Sequence, residues 1–415
     1  MSNIILPKEL TVLDKLNLME KNAQYEIADM KETDCDELED LDLSHIRCRP
    51  HQKSFPKVFV SNDCIFNCAY CSGRREGGCQ RFTFTPREAA EMSMNIARKS
   101  GGGVFITSGI YRNSDYTEEL ICETARIMRE EFNYTGFIHA KVMPGTDMEL
   151  IKKTGKYANR LSVNIETANS IGYARIAHEK NRKNILSPMR DISNLIQEAK
   201  YNRGLFAPKF ATSQTTQLMA GSIQEDDRTI MNLSKALYDK YKLSRVYYTG
   251  FYYRHPAEGY DIPVTITSPW RVKRLYQADR LMQLYGFTPD DITPADSPNL
   301  DLDIDPKISY ALRHMDMFPV EINNADYETL IRIPGIGTTY AKKIIHARRS
   351  HTLTHDLLRR IRIPMKRCLY FITCNGKYEG GHLFDNAELL REVLRVEPVI
   401  RQRVYETDIN GETVC

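Results

Sequence analysis

No apolar run in this 415-residue chain approaches the ~18 residues of a membrane span, so no crossing helix is expected. Met1 to Leu18 also lacks a signal-peptide pattern. Ten cysteines without a secretory signal point to a reducing cytoplasm, where thiols bind metal or stay free. Net charge is small, at +3, and as a total it says little about partners. Hydrophobic content of 42% and charged content of 27% are ordinary for a soluble globular protein. The length is long for one domain and comfortable for two.

Three of the cysteines fall in one run, Cys64-Ile-Phe-Asn-Cys68-Ala-Tyr-Cys71, with C-x3-C-x2-C spacing. Three thiolates on a short loop can hold three corners of a [4Fe–4S] cube and leave the fourth iron open. Ferredoxin-type carriers fill all four corners with cysteine. The run follows the β-branched stretch Val58 to Val60, so the loop leaves the end of a predicted strand, and Tyr70 sets an aromatic ring beside it. A zinc site would need a fourth ligand, for which Cys79 is the available residue. The other seven cysteines show no second cluster spacing and read as free thiols, Cys368 and Cys374 buried among them.

The cysteine run resembles the signature of the radical S-adenosylmethionine (radical SAM) superfamily, C-x3-C-x-aromatic-C after the first strand of a partial barrel. The resemblance implies Cys64, Cys68 and Cys71 as ligands of a [4Fe–4S] cluster whose open iron takes SAM. Reductive cleavage of the sulfonium then yields methionine and a 5′-deoxyadenosyl radical. A flavodoxin or ferredoxin would supply the electron.

The next 200 residues agree. Strand signals at Val104–Thr107, Phe137–Val142, Arg160–Glu166, Lys209–Ala220 and Arg245–Phe251 alternate with helical stretches, the last being Trp270–Tyr285. This rhythm predicts parallel βαβ units and a partial (β/α)6 barrel, with its site at the carboxyl ends of the strands. Ser108 and Gly109 stand where the family binds the methionyl amino group, although Thr-Ser-Gly replaces the common Gly-Gly-Glu. Alternation puts Ser162, Asn164 and Glu166 on one strand face. The resemblance makes Glu166 an acceptor from a ribose hydroxyl; a helix-capping carboxylate is the plainer alternative. Gln217 to Gly221 resembles the fifth-strand motif near adenine. Tyr252 to His255 either face substrate or close the barrel.

Charge is unevenly spread. Between Glu321 and Phe371, ten Lys/Arg face four Asp/Glu, a local +6 that reads as a polyanion-binding module. This block contains Leu330-Ile-Arg-Ile-Pro334-Gly335-Ile336-Gly337-Thr338-Thr339-Tyr-Ala341-Lys342-Lys343, which resembles the helix–hairpin–helix of DNA repair and uptake proteins. Pro334 through Thr339, with Lys342 and Lys343, are its expected phosphate-binding residues. Two glycines would permit close backbone approach, and the second helix would offer unpaired N–H groups. A degenerate second copy, Asp356 to Arg367, lacks the paired glycines.

Barrel and hairpin together resemble the DNA modification or repair radical SAM proteins, over about residues 57–377. That resemblance implies DNA as partner and a companion related to uracil-DNA glycosylase. Two rivals stay open: an RNA- or tRNA-modifying enzyme, and a non-catalytic DNA adaptor with a structural cluster. The expected division is a first helix (Thr11 to Ala28) and acidic linker over 1–50, the barrel over 51–290, an all-α hairpin domain over 291–377, and an extension over 378–415.

Overall fold

The computed structural model describes Lys15, residues 56–100, 103–202, 209–251, Tyr260, residues 267–382 and residues 386–395. Apart from Lys15, the predicted first helix lies outside the described residues, as do the acidic linker, Tyr252 to His255 and the tail beyond 395. Among the described residues no helix is long and apolar enough to cross a membrane.

The described residues up to Val272 form one compact unit and those from Lys273 a second. In the first, six parallel strands run in sequence order: β1 (Lys57–Phe59), β2 (Val104–Thr107), β3 (Ile138–Lys141), β4 (Arg160–Ser162), β5 (Ser213–Ala220) and β6 (Arg245–Gly250). The helices between them are α1 (Pro86–Ser100), α2 (Ser114–Arg126, continued by a π turn), α3 (Met148–Tyr157), α4 (Ser170–Ile176), α5 (Arg182–Tyr201) and α6 (Asp227–Tyr241). An unbroken order of parallel neighbours demands a helical crossover at every step and curves the sheet into a partial barrel.

Side-chain alternation separates two faces. Gln214 and Tyr248 point outward, where Gln214 donates to Met189 O on α5 and Tyr248 bonds Ser234 on α6. Val104, Ile106, Ile138, Ala140 and Leu161 share that helix-covered face and are fully buried. The intervening positions, Phe105, Thr107, His139, Lys141, Arg160, Ser162 and Thr215 among them, line the concave face. Phe105 stacks on His139 across β2 and β3.

β5 begins at Ser213, not Lys209, and β4 stops well short of its expected end. Alternation from Ser162 through Asn164 to Glu166 assumes a continuous strand, but β4 ends at Ser162. The Thr216 hydroxyl inserts there, receiving Ile165 N–H at 2.9 Å and donating to Val163 O at 2.7 Å. Pairing resumes only at Glu166, whose φ of +62° is left-handed. The local bulge, not a regular pleat, sets the direction of the Glu166 side chain.

The second unit is helical. After α7 (Pro269–Tyr285) come α8 (Pro289–Ile292), α9 (Pro306–Arg313), α10 (Tyr327–Arg332), α11 (Thr338–Ala347), α12 (His355–Arg360) and α13 (Met365–Cys368). A short parallel pair, β7 (Val320–Glu321) with β8 (Ile372–Thr373), clasps the hairpins. Within the extension, α14 (Ala387–Leu394) inserts Leu390 and Leu394 into the same apolar core as Leu330, Ile344 and Leu358.

Candidate functional site

The cysteine loop leaves the carboxyl end of β1, as the spacing predicts. Gly109 presses against it: a Cβ there would come within 3.0 Å of Cys64 Cβ and 3.3 Å of Ser61 O. Gly109 N–H donates to Ser61 O at 2.7 Å, and Ile110 N–H donates to Cys64 Sγ at 3.3 Å. Ser108 is buried, with its hydroxyl directed at Ser61 O. So β2's end cradles the first cysteine, and a side chain at 109 would push the loop back by a few tenths of an ångström.

Cys68 is buried against Ile176, Ala177, Met219 and Phe251. Burial pushes its thiol up to about 11, with the Lys180 charge pulling the other way. Lys180 is the site residue that the motif reading missed. Its ammonium donates to Tyr70 Oη at 2.8 Å and Glu166 Oε1 at 2.9 Å, and the Tyr70 hydroxyl also reaches Cys68 and Glu166. Burial would raise the Glu166 carboxyl, but the charges of Lys180 and Lys141 and the hydrogen bonds from Lys180 and Tyr70 together hold it below the usual carboxylate range. Glu166 is therefore an ion-paired anchor. The same segment holds the loop at two further points: Ala69 N–H donates to Ile176 O at 2.8 Å, and Asn67 N–H to Glu179 Oε1 at 3.0 Å.

Arg81 was likewise unforeseen. Its guanidinium donates to Asn62 O, Gly73 O, Arg74 O, Arg75 O and Gly77 O, gathering the segment following the cysteines into a compact loop. Five donors in a rigid fork suit it to that task. Cys79 lies beside Asn62 in this loop. Gln217 contributes its carbonyl to Glu166 N–H, while its side chain turns to Thr249; Asn164 is half-buried nearby.

Among the described residues no three of His, Cys, Asp or Glu converge on a single metal ion. A cube asks for something else, one thiolate at each of three separate irons. Three cysteines on one loop, a glycine cradle at Cys64 and a cation behind Cys68 fit that requirement.

In the second unit Gly337 is the N-cap of α11 and offers no capping side chain. The Tyr285 hydroxyl instead receives Thr338 N–H. Lys307 is buried beneath the hairpin, donating to Ile336 O at 2.5 Å and facing the Tyr285 ring at 4.8 Å. The expected phosphate-binding residues divide. Pro334 and Ile336 are buried, so they form the hairpin's core and not its surface. Gly335, at φ +82°, packs on the second hairpin, where a Cβ would meet Arg367 Cβ at 3.1 Å and Cys368 N at 3.3 Å. Thr339, Lys342 and Lys343 are exposed, Gly337 and Thr338 partly so, and Lys343 donates to Ile361 O. The degenerate copy keeps the backbone of the first: Arg362 (φ +60°) matches Gly335, Ile363 matches Ile336, and buried Cys368 matches Ala341.

Residues 58–205 match the Radical SAM superfamily and residues 318–356 the helix-hairpin-helix motif. The first unit is thus a radical SAM domain, the enzyme class whose cofactors are a [4Fe–4S] cluster and SAM; the second carries a helix-hairpin-helix. No curated protein matches the chain. Similar solved structures include the FeFe-hydrogenase maturase HydG from Carboxydothermus hydrogenoformans, at 17% identity and TM-score 0.42, covering 55% of this chain and 51% of that one. Methylornithine synthase (PylB) follows at 16% and 0.41, covering 66% and 73%. The radical SAM methyltransferase TsrM from Kitasatospora setae stands at 11% and 0.33, covering 48% and 36%. This chain spans about half the length of the HydG chain, and likeness at these scores says nothing of substrate.

Proposed function

We propose that this chain is a radical SAM enzyme acting on DNA, docked through its tandem hairpins, in nucleotide modification or repair. The carrying observation is that one chain joins a radical SAM domain to a helix-hairpin-helix whose exposed rim is basic at Lys342, Arg349, Arg360, Arg362 and Lys366. Cys64, Cys68 and Cys71 would hold the cluster. When bound, cluster and SAM together supply a carbon-centred radical able to abstract hydrogen, after an external donor such as flavodoxin or ferredoxin provides an electron.

The protein's own residues do the positioning. Ile110 N–H and the close approach of Gly109 fix Cys64, Lys180 fixes Tyr70 and Glu166, and Ser108, Asn164 and Gln217 stand around the same strand ends. Apolar packing at Phe251 and Ile176 excludes water from Cys68. Hairpins of this kind grip backbone and not sequence, so binding should be salt-sensitive and weakly specific. A base within a duplex would have to be flipped to reach the strand ends. The uracil-DNA-glycosylase-like companion stands on the sequence resemblance alone.

Competition between DNA and RNA for the full chain, followed across salt concentration, tests the substrate class. DNA should win, and Lys342→Ala should reduce the log–log salt slope by roughly 1, as loss of one phosphate contact requires. RNA winning would favour the RNA-modifying reading. Absence of 5′-deoxyadenosine when the reconstituted protein meets SAM and reductant would leave a DNA adaptor instead.

A further inference from the structure

Folding sets Lys180 against the cysteine loop from a distant part of the chain. Its side chain and that of Glu166 are nearly buried. The lysine is held at three points: its backbone N–H donates to Ala177 O at 2.9 Å, and its ammonium to Glu166 Oε1 at 2.9 Å and Tyr70 Oη at 2.8 Å. Because the Tyr70 oxygen accepts from that ammonium, its single proton is left for Cys68 and Glu166. Burial weighs against a thiolate at Cys68. Among the charges that act there the Lys180 ammonium is foremost and favours the thiolate, with Cys64 and Glu166 opposed. Cys71 interacts with the same ammonium.

A pair that served stability alone would need only Lys180 and Glu166; the phenol adds a donor directed at a cysteine sulfur. Reduction of an iron–sulfur cluster adds an electron, and a cation or hydrogen-bond donor at a ligand sulfur favours the reduced form. Low local dielectric strengthens both effects. We propose that Lys180, acting through Tyr70 on Cys68, sets the reduction potential of the cluster, holding it above the value that the buried loop would otherwise impose. Glu166 acts with the opposite sign, so the ion pair fixes the balance. Lys180 is thus a positioning residue for the electron-accepting step, making the electron of the flavodoxin or ferredoxin donor easier to take up. This inference goes beyond the DNA reading and does not need it. It needs only a cluster on Cys64, Cys68 and Cys71.

The test is a redox titration of the anaerobically reconstituted full chain without SAM, followed by electron paramagnetic resonance, with iron and sulfide counted in every variant. Poised at the wild-type midpoint, Lys180→Met should lower the ratio of reduced to oxidised cluster about tenfold, equivalent to about 59 mV for one electron. That variant also strands Glu166, so Tyr70→Phe, which leaves both charges in place, carries the test independently and should lower the ratio about threefold. Glu166→Gln should raise the ratio. Lys180→Arg, which keeps the charge, should stay within about threefold of wild type. Opposite signs for lysine and glutamate follow from electrostatics, and a general loosening of the loop would not produce them. Equal midpoints in wild type, Lys180→Met and Tyr70→Phe at equal iron content overturn the inference. So does a Glu166→Gln shift in the same direction as Lys180→Met. A Lys180→Met variant that keeps its midpoint and loses only SAM affinity overturns it too, because the ammonium would then serve the SAM carboxylate. A chain that takes up no iron removes the cysteine ligands and this inference together. Failure of the docking reading looks different, with duplex DNA unbound while the pattern of midpoints stands.

Discussion

Replacing Lys180 with methionine should destabilise the radical SAM domain far more than an ordinary surface charge would. The Lys180 and Glu166 side chains are only 10% and 5% exposed, and their 2.9 Å contact is the ion pair that compensates the buried carboxylate. Removing one partner of a buried pair strands the other charge at a cost of about 3–5 kcal/mol. For a domain of this size each kcal/mol moves Tm by roughly 2–4 °C, so a fall of about 10 °C is expected. Differential scanning calorimetry at neutral pH reads this directly.

A cycle with Glu166→Gln isolates the pair. The double variant should lie about 2 kcal/mol above the sum of the singles, as coupled neighbours do. The pH dependence has a definite sign. Because Glu166 is held below the usual carboxylate range, its contribution is full above the unfolded carboxylate pKa of about 4.3 and is lost as pH falls through the folded value. The gap between wild type and Lys180→Met should therefore narrow in acid. A Lys180→Met cost under about 1 kcal/mol, the range of exposed pairs, would refute the reasoning. Strict additivity in the cycle would do the same.

Two further outcomes concern the second unit. Glu321 accepts from Asn323, Thr373, Asn375 and Gly376; burial opposes its charge, yet these donors bring its carboxyl down to about 2. Glu321→Gln should cost about 2 kcal/mol in urea unfolding at pH 7, and less as pH falls from about 5 toward 2, where the wild-type carboxylate itself is lost. Gly335→Ala should cost more than Gly286→Ala. Both residues are left-handed, worth about 1 kcal/mol each, but only at 335 does the added carbon also press on Arg367 and Cys368. Equal costs in thermal unfolding would show that the hairpins do not pack there.

Short-range pattern was enough for much of this protein. The C-x3-C-x2-C run, the β-branched strands between helical stretches and the Pro-Gly-Ile-Gly hairpin all depend on residues within a turn or two of one another. Backbone geometry at that range is dictated by local residue choice, so the six parallel strands, the cysteine loop at β1's end and the hairpin were legible from the order of residues alone.

Tertiary structure decided the partners. Lys180 meets Tyr70 across a wide gap in the chain, Lys307 reaches under Ile336, and Arg362 takes a left-handed turn where glycine would be expected. Thr216 shortens β4 by inserting its hydroxyl, which no alternation pattern reveals. That Thr107, Lys141, Ser162 and Thr215 share one level of the sheet depends on the register of four strands. The physical reason is common to all of them: burial and hydrogen bonding belong to groups brought together by folding, and a side chain's sequence neighbours do not specify which distant group will satisfy it.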